Sequence, residues 1–174
     1  MLIKRIIIVW KNYITSQFLV IMFVFLMNWL AGGLTGLHLA LLNALAAGIC
    51  EVIPSFGSFI SWGITAVLAL VFGSSNLDIA NWKYALIIVG CSILIQFLED
   101  LLVSPQIIGK KMELHPIIVF MGMLLFSAFF GFWGMILAVP IMASLKEMKN
   151  YFAEKILKPD KLQYVLPAKD ILQQ

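Results

Sequence analysis

The chain has 174 residues, 62% of them apolar and 12% charged, with a mean hydropathy of +1.00; soluble domains average about 45–50% apolar and about 25% charged. An ordinary soluble domain is therefore excluded. The formal charge of +3 arises from 12 Lys and Arg against 9 Asp and Glu, and in a membrane chain basic residues serve orientation rather than nucleic-acid binding, so no nucleic-acid partner is expected.

Three runs carry no charge: 39 residues between Lys11 and Glu51, 26 between Glu51 and Asp78, and 32 between Glu113 and Lys146. As helix they measure roughly 58, 39 and 48 Å, against a hydrocarbon core about 30 Å thick. The first run must fold back once, the second spans once, and the third is too long for one upright helix and too short for two full ones. No removable signal peptide is expected, because the apolar character continues past Ala31-Gly32-Gly33 without a cleavage-site pattern.

In chain order, residues 1–12 read as a basic cytoplasmic segment and 13–145 as the integral membrane domain. Helix one is predicted over Tyr13 to Ala31 and helix two over Leu37 to Ile53, with Gly32, Gly33 and Gly36 turning the chain between them. Pro54 and Gly57 break the next turn, helix three follows over Ser58 to Gly73, and the polar loop 74–78 leads to helix four over Trp82 to Val103. Ser104-Pro105 ends that helix, and Gly109 lies in the connection that follows. His115-Pro116 opens the last run, which Phe130-Gly131-Phe132-Trp133-Gly134 punctuates at its middle, so it reads as a hairpin. Its second limb, past Pro140, runs into a cytoplasmic helix and tail over 146–174. The expected class is an all-α membrane protein: four transmembrane helices, a short or re-entrant helical hairpin and a C-terminal cytoplasmic helix. A broken hairpin must be sheltered by protein or line a wet cavity, because lipid cannot satisfy its backbone.

Sidedness follows from the basic residues. Eleven of the twelve fall in segments assigned to one face and only Lys83 to the other, which predicts cytoplasmic termini in a multi-pass protein of the bacterial plasma (inner) membrane. Cys50 and Cys91 lie in apolar stretches and read as small core residues rather than a disulfide.

Few polar groups interrupt the apolar runs. Ala40, Asn43, Ala44, Ala47, Gly48 and Glu51 share one face of helix two; close packing with Asn43 as hydrogen-bonding glue explains the small residues, whereas Glu51 either sits at the interface or serves an ion or proton. On helix four, Gln96 is spaced i, i+3 from Glu99 and i, i+4 from Asp100, so one carboxylate can face inward while the other meets water at the helix end. His115 is either interfacial or a proton relay. Trp10, Trp29, Trp62, Trp82 and Trp133 suit an aromatic belt. The sequence has no nucleophile elbow, zinc-helix motif, phosphate-binding loop or cysteine pair at metal spacing, so neither enzymatic activity, a cofactor nor a metal is expected.

Five segments in order, Ile53-Pro54-Ser55-Phe56-Gly57, Gln96-Phe97-Leu98-Glu99-Asp100, Pro105-Gln106-Ile107-Ile108-Gly109, Leu114-His115-Pro116, and Phe130-Gly131-Phe132-Trp133-Gly134 with Ala138-Val139-Pro140, resemble the bacterial autoinducer-2 exporter family of membrane permeases over about residues 12 to 152. The resemblance implies a polytopic inner-membrane transporter working as a homo-oligomer. It also implies a small polar solute or monovalent cation as cargo: export of a small signalling molecule, or exchange of sodium or lithium for protons. Family members are longer, so Met1 is expected near the family's middle and the chain to be its C-terminal half. Many members carry Asn where Glu51 stands, whereas Glu99 and Asp100 fit the family pattern. The residues assigned to transport or ion coupling are Glu51, Gln96, Glu99, Asp100, His115 and Asn43; those assigned to helix breaks and the hairpin are Pro54, Gly57, Pro105, Gly109, Pro116, Gly131, Gly134 and Pro140. The alternative is a structural membrane fragment that joins a longer permease through the Ala40, Ala44, Gly48 stripe and does not transport alone.

Overall fold

The computed structural model describes residues 2–54, 56–103 and 116–157, and these are almost entirely helical. Pro105, Gly109 and His115 lie outside the described residues, as do Lys110 and Lys111. Helix α1 spans Leu2–Thr35, about 51 Å. It begins earlier than hydropathy suggests because no proline or glycine precedes Gly32, so Lys4, Arg5 and Lys11 ride on the helix itself. Its buried residues Val9, Tyr13, Ser16, Val20, Val24, Asn28 and Gly32 recur every three or four positions and form one continuous inner stripe.

The next two helices, α2 (Ala40–Cys50) and α3 (Gly57–Phe72), have 11 and 16 residues, about 16 and 24 Å. Both fall short of a hydrocarbon core about 30 Å thick. Helix two was expected to reach from Leu37 to Ile53, but Leu37 bridges to Ser74 and Leu39 adopts a left-handed conformation (φ 63°), which delays the first turn. At the other end Glu51 to Pro54 leave the helix, with the Phe56 amide donating to the Pro54 carbonyl over 2.8 Å and the Gly57 amide to the Ile53 carbonyl over 2.9 Å. Gly57 packs so closely on the Cys50 carbonyl that any Cβ would collide with it.

Helix α2 lies in the groove of α1. Gly48 sits against the Ile21 carbonyl and Phe25, Gly32 sits against Ala40, and Ala44 and Ala47 are fully buried. The small-residue stripe is thus consumed inside the chain, and the Ala40, Ala44, Gly48 face does not offer a docking surface for a longer permease. Cys50 and Cys91 are free thiols.

Helix α4 runs over Asn81–Leu98 and continues as a π-helical turn over Glu99–Val103. Polar pairs tie the bundle: the Ser92 hydroxyl donates to Asn28 Oδ1 (3.0 Å), the Thr65 hydroxyl donates to Asn43 Oδ1 (2.9 Å), and the Thr35 and Tyr84 hydroxyls meet at 3.0 Å. Such pairs are worth about 0.6–2 kcal/mol each among membrane helices. At the end marked by Thr35 and Asn81 the backbone is closed by Ser75 N–H to Gly36 O (2.8 Å) and the Ser74 hydroxyl to Thr35 O (2.6 Å).

The last element, α5 (Pro116–Leu157), is broken at Gly131, whose φ of 59° and ψ of −141° belong to a region open only to glycine. Gly122 packs on Met142 and Gly134 on the Phe126 carbonyl, so the two limbs run antiparallel as a hairpin. Pro116 is the first residue of the opening limb. Pro140 does not interrupt the closing limb, which stays helical to Leu157. A proline there removes the N–H that would bond the Ile136 carbonyl, and the Tyr13 hydroxyl donates to that oxygen instead (3.3 Å). The hairpin also meets α1 through Trp10 Nε1 to the Ser144 hydroxyl (3.1 Å) and an Arg5–Glu154 ion pair (3.1 Å).

Because the Gly57 contact is with backbone, Gly57→Ala is expected to destabilise the chain by at least about 2 kcal/mol, while Gly63→Ala, which faces open space, is neutral or stabilising by about 0.5–1 kcal/mol. Thermal unfolding of the two variants in detergent micelles measures the contrast; equal unfolding temperatures would contradict it.

Candidate functional site

The short reach of α2 leaves Glu51 at its C-terminal end, level with the π-turn of α4 and the Tyr13–Gln17 stretch of α1. A cavity of about 420 Å³ opens there, lined by Tyr13 and Gln17 from α1, Glu51 and Pro54 from the turn, Ser58, Phe59 and Trp62 from α3, and Gln96, Glu99 and Asp100 from α4. Val119 and Val139 of the hairpin, together with Val20, supply apolar wall.

Within it, Glu51 is 4% exposed and Glu99 5%. Gln96 donates through Nε2 to Glu99 Oε2 over 3.0 Å, and Glu51 from the end of α2 lines the same cavity wall. The Glu51 oxygen Oε2 is buried and finds no hydrogen-bond partner. An unpartnered carboxylate oxygen out of water is costly to keep as an anion, and a proton or cation offsets that cost. Asp100, one residue on, is exposed and lines the same cavity beside the buried Glu99. Among the described residues no three His, Cys, Asp or Glu side chains converge as metal ligands would.

The residues singled out from sequence distribute unevenly. Glu51 at the end of α2 and Gln96, Glu99 and Asp100 at the end of α4 share the cavity wall, and Pro54 contributes beside them. Asn43 does not line it: its side chain, 2% exposed, accepts from Thr65 between α2 and α3. Gly57 begins α3 and Gly131, Gly134 and Pro140 shape the hairpin. Trp62 lines the cavity rather than a belt, and Trp10 bonds Ser144, whereas Trp29, Trp82 and Trp133 are exposed. Sequence reasoning missed Tyr13 and Gln17. Gln17 donates through Nε2 to the Glu51 carbonyl, satisfying a carbonyl that the end of α2 leaves open. Their signal was present: two polar side chains spaced i, i+4 inside a charge-free run place both on one face.

The sequence is similar to a family of known proteins. The profile of the AI-2E family of transporters matches residues 1–154. YrrI of Bacillus subtilis is 33% identical over 141 residues, 81% of this chain and 38% of YrrI. YueF of the same organism is 31% identical over 134 residues, 77% of the chain and 34% of YueF. PerM of Escherichia coli K12 is 28% identical over 146 residues, 79% of the chain and 39% of PerM. YrrI and YueF carry transport-protein names and PerM a permease name. The chain therefore spans under two fifths of the length of these relatives.

Tyr13 joins cavity and hairpin, so Tyr13→Phe leaves the Ile136 carbonyl without its donor and is expected to cost about 1–2 kcal/mol. Thermal unfolding in micelles, together with faster amide exchange over residues 137–144, reads the loss, with Tyr151→Phe as the silent control. Unchanged exchange in Tyr13→Phe would contradict the assignment.

Proposed function

The chain belongs to the AI-2E family of transporters, and from that premise we propose that it forms the part of a permease in which a small polar solute or monovalent cation passes the cavity between α1, the α2–α3 turn, α4 and the hairpin. It is a multi-pass membrane protein: two described helices, Leu2–Thr35 and Asn81–Leu102, are long and apolar enough to cross, and the equally apolar Ile117–Ile156 folds back at Gly131 as a hairpin. The observation that carries the proposal is the buried, unpartnered Glu51 oxygen facing a cavity that also holds Gln96 and Glu99. At roughly 30 Å³ per water, 420 Å³ accommodates about a dozen waters, enough for a small solute or a partly hydrated cation.

In this reading Glu51 and Glu99 exchange a proton or cation while Gln96 holds Glu99, the exposed Asp100 guides positive charge inward, and Val119 and Val139 form the wall that yields as cargo passes. Discontinuous helices with polar cavities at their breaks are a recurring arrangement in secondary transporters. Sodium- or lithium-for-proton exchange and export of a small signalling molecule both fit a carboxylate-lined cavity of this size. The basic residues support cytoplasmic termini in the bacterial plasma membrane: Arg5 pairs with Glu154, which brings both ends of the described chain to one side, and Lys83 lies at the other. The lightly buried hairpin surface supports assembly as a homo-oligomer.

A second reading, that the chain acts only together with a longer permease, is favoured by its span of under two fifths of its relatives. Flux through reconstituted vesicles separates the two. Sodium, lithium, proton or small-solute flux by this chain alone supports transport, and flux that appears only on co-reconstitution with a full-length relative supports the second. Glu51→Gln and Glu99→Gln are each expected to lower flux at least about tenfold, in line with the loss of a charge-assisted interaction, whereas Asn43→Ser retains it. Unchanged flux in both carboxylate variants would overturn the assignment.

A further inference from the structure

Helix α1, about 51 Å long, exceeds the hydrocarbon core but at a tilt of about 30° spans about 44 Å, the bilayer with its headgroup regions, so its first turns fall at headgroup level. Its first turns do not stand alone: residues 2–12 pair with the closing limb of α5 through Arg5–Glu154 and Trp10–Ser144, with Val9 and Ala143 buried between them. The outer faces of this two-helix stalk are mixed. Ile3, Ile7 and Ile8 on one helix and Leu145, Phe152 and Ile156 on the other are exposed, Ile3 and Ile156 to 73% each. Lys4, Lys11, Lys149 and Lys155 are exposed among them, at i, i+3 or i+4 from the apolar side chains. Of the two acids on the stalk, Glu154 is held by Arg5 and Glu147 is half-buried.

Water alone would leave six large apolar side chains wet, and hydrocarbon alone would strand four ammonium groups. A second copy docking on these faces would set lysine against lysine. The environment that satisfies both kinds of group is an anionic lipid interface: apolar side chains enter the acyl boundary while the lysine stems lie along it and lift their ammonium groups to phosphate. From this geometry we infer that the stalk is a binding surface for anionic phospholipid headgroups, formed jointly by the start of α1 and the end of α5.

The inference concerns lipid selection and is independent of transport. The test uses the 174-residue chain in vesicles of phosphatidylcholine with about one third phosphatidylglycerol, and measures by mass spectrometry which lipid is retained on mild detergent extraction. Phosphatidylglycerol is expected to be enriched several-fold. The enrichment should fall as salt rises from 0.1 to 1 M, where the screening length shortens from about 10 to about 3 Å. Replacing Lys4, Lys11, Lys149 and Lys155 together by Gln removes the enrichment, replacing them together by Arg keeps it, and Lys83→Gln at the opposite end leaves it unchanged. Because Arg variants preserve charge, they separate loss of binding from loss of folding. Added glycerol phosphate is expected not to compete, since a free phosphate meets the lysines but not the apolar residues. Equal retention of both lipids by the unmodified chain, equal enrichment in the Gln variant, full competition by glycerol phosphate, or cross-linking of the stalk face to a second copy would each overturn the inference.

Discussion

Every interruption of a helix in apolar surroundings exposes carbonyls that water cannot reach, and this structure depends on how those carbonyls are re-satisfied. Helix α1 does most of it. Gln17 donates to the Glu51 carbonyl where α2 ends, and one turn away Tyr13 donates to the Ile136 carbonyl that Pro140 leaves without a partner. A single face of one long helix thereby serves both the carbonyl at the end of α2 and the one that Pro140 leaves open within α5. At the opposite end Ser74 and Ser75 serve the Thr35 and Gly36 carbonyls in the same way. Both α1 donors, Tyr13 and Gln17, line the cavity.

The same constraint explains where charge is tolerated. Glu51 sits at the end of a helix too short to cross and Glu99 in a π-turn that widens the end of α4, where Gln96 donates to it. Residues buried elsewhere in the bundle are neutral and pair off: Asn28 with Ser92, Asn43 with Thr65, Thr35 with Tyr84. The polar groups thus divide into those that fasten helices and those that face open space. The hairpin, by contrast, is held to the bundle by a few contacts, among them Phe120 stacked on Phe56 at 5.5 Å beside the cavity. A thinly packed element next to a polar cavity belongs to the low-stability end of a fold, where conformational change is least costly.

Much of this was legible in the residues. The charge-free runs gave helices, and Phe130 to Gly134 marked the break that Gly131 makes, because only glycine accepts that backbone conformation. Helix lengths were less legible: Leu37, Leu39, Val52 and Ile53 are as apolar as helix interiors, so hydropathy extends α2 past both of its ends, and only the left-handed Leu39 and the contact of Gly57 with Cys50 shorten it. Along α2, Asn43 and Glu51 share a face but lie two turns apart, which is enough to separate a packing residue from a cavity residue. The partnership of Glu51 with Gln96 and Glu99 is tertiary, and no spacing within one helix reports it.

Passage of a polar cargo requires the cavity to be a polar, solvent-reachable space within an otherwise lipid-facing bundle. Thiol accessibility tests this directly in a chain lacking Cys50 and Cys91, reconstituted in vesicles, with single cysteines at Gln96 on the polar wall, Val139 on the hairpin wall and Leu86 on the exposed outer face of α4. A charged methanethiosulfonate reagent is expected to modify Gln96→Cys and Val139→Cys much faster than Leu86→Cys. Cavity cysteines as inert as the one at Leu86 would contradict the account.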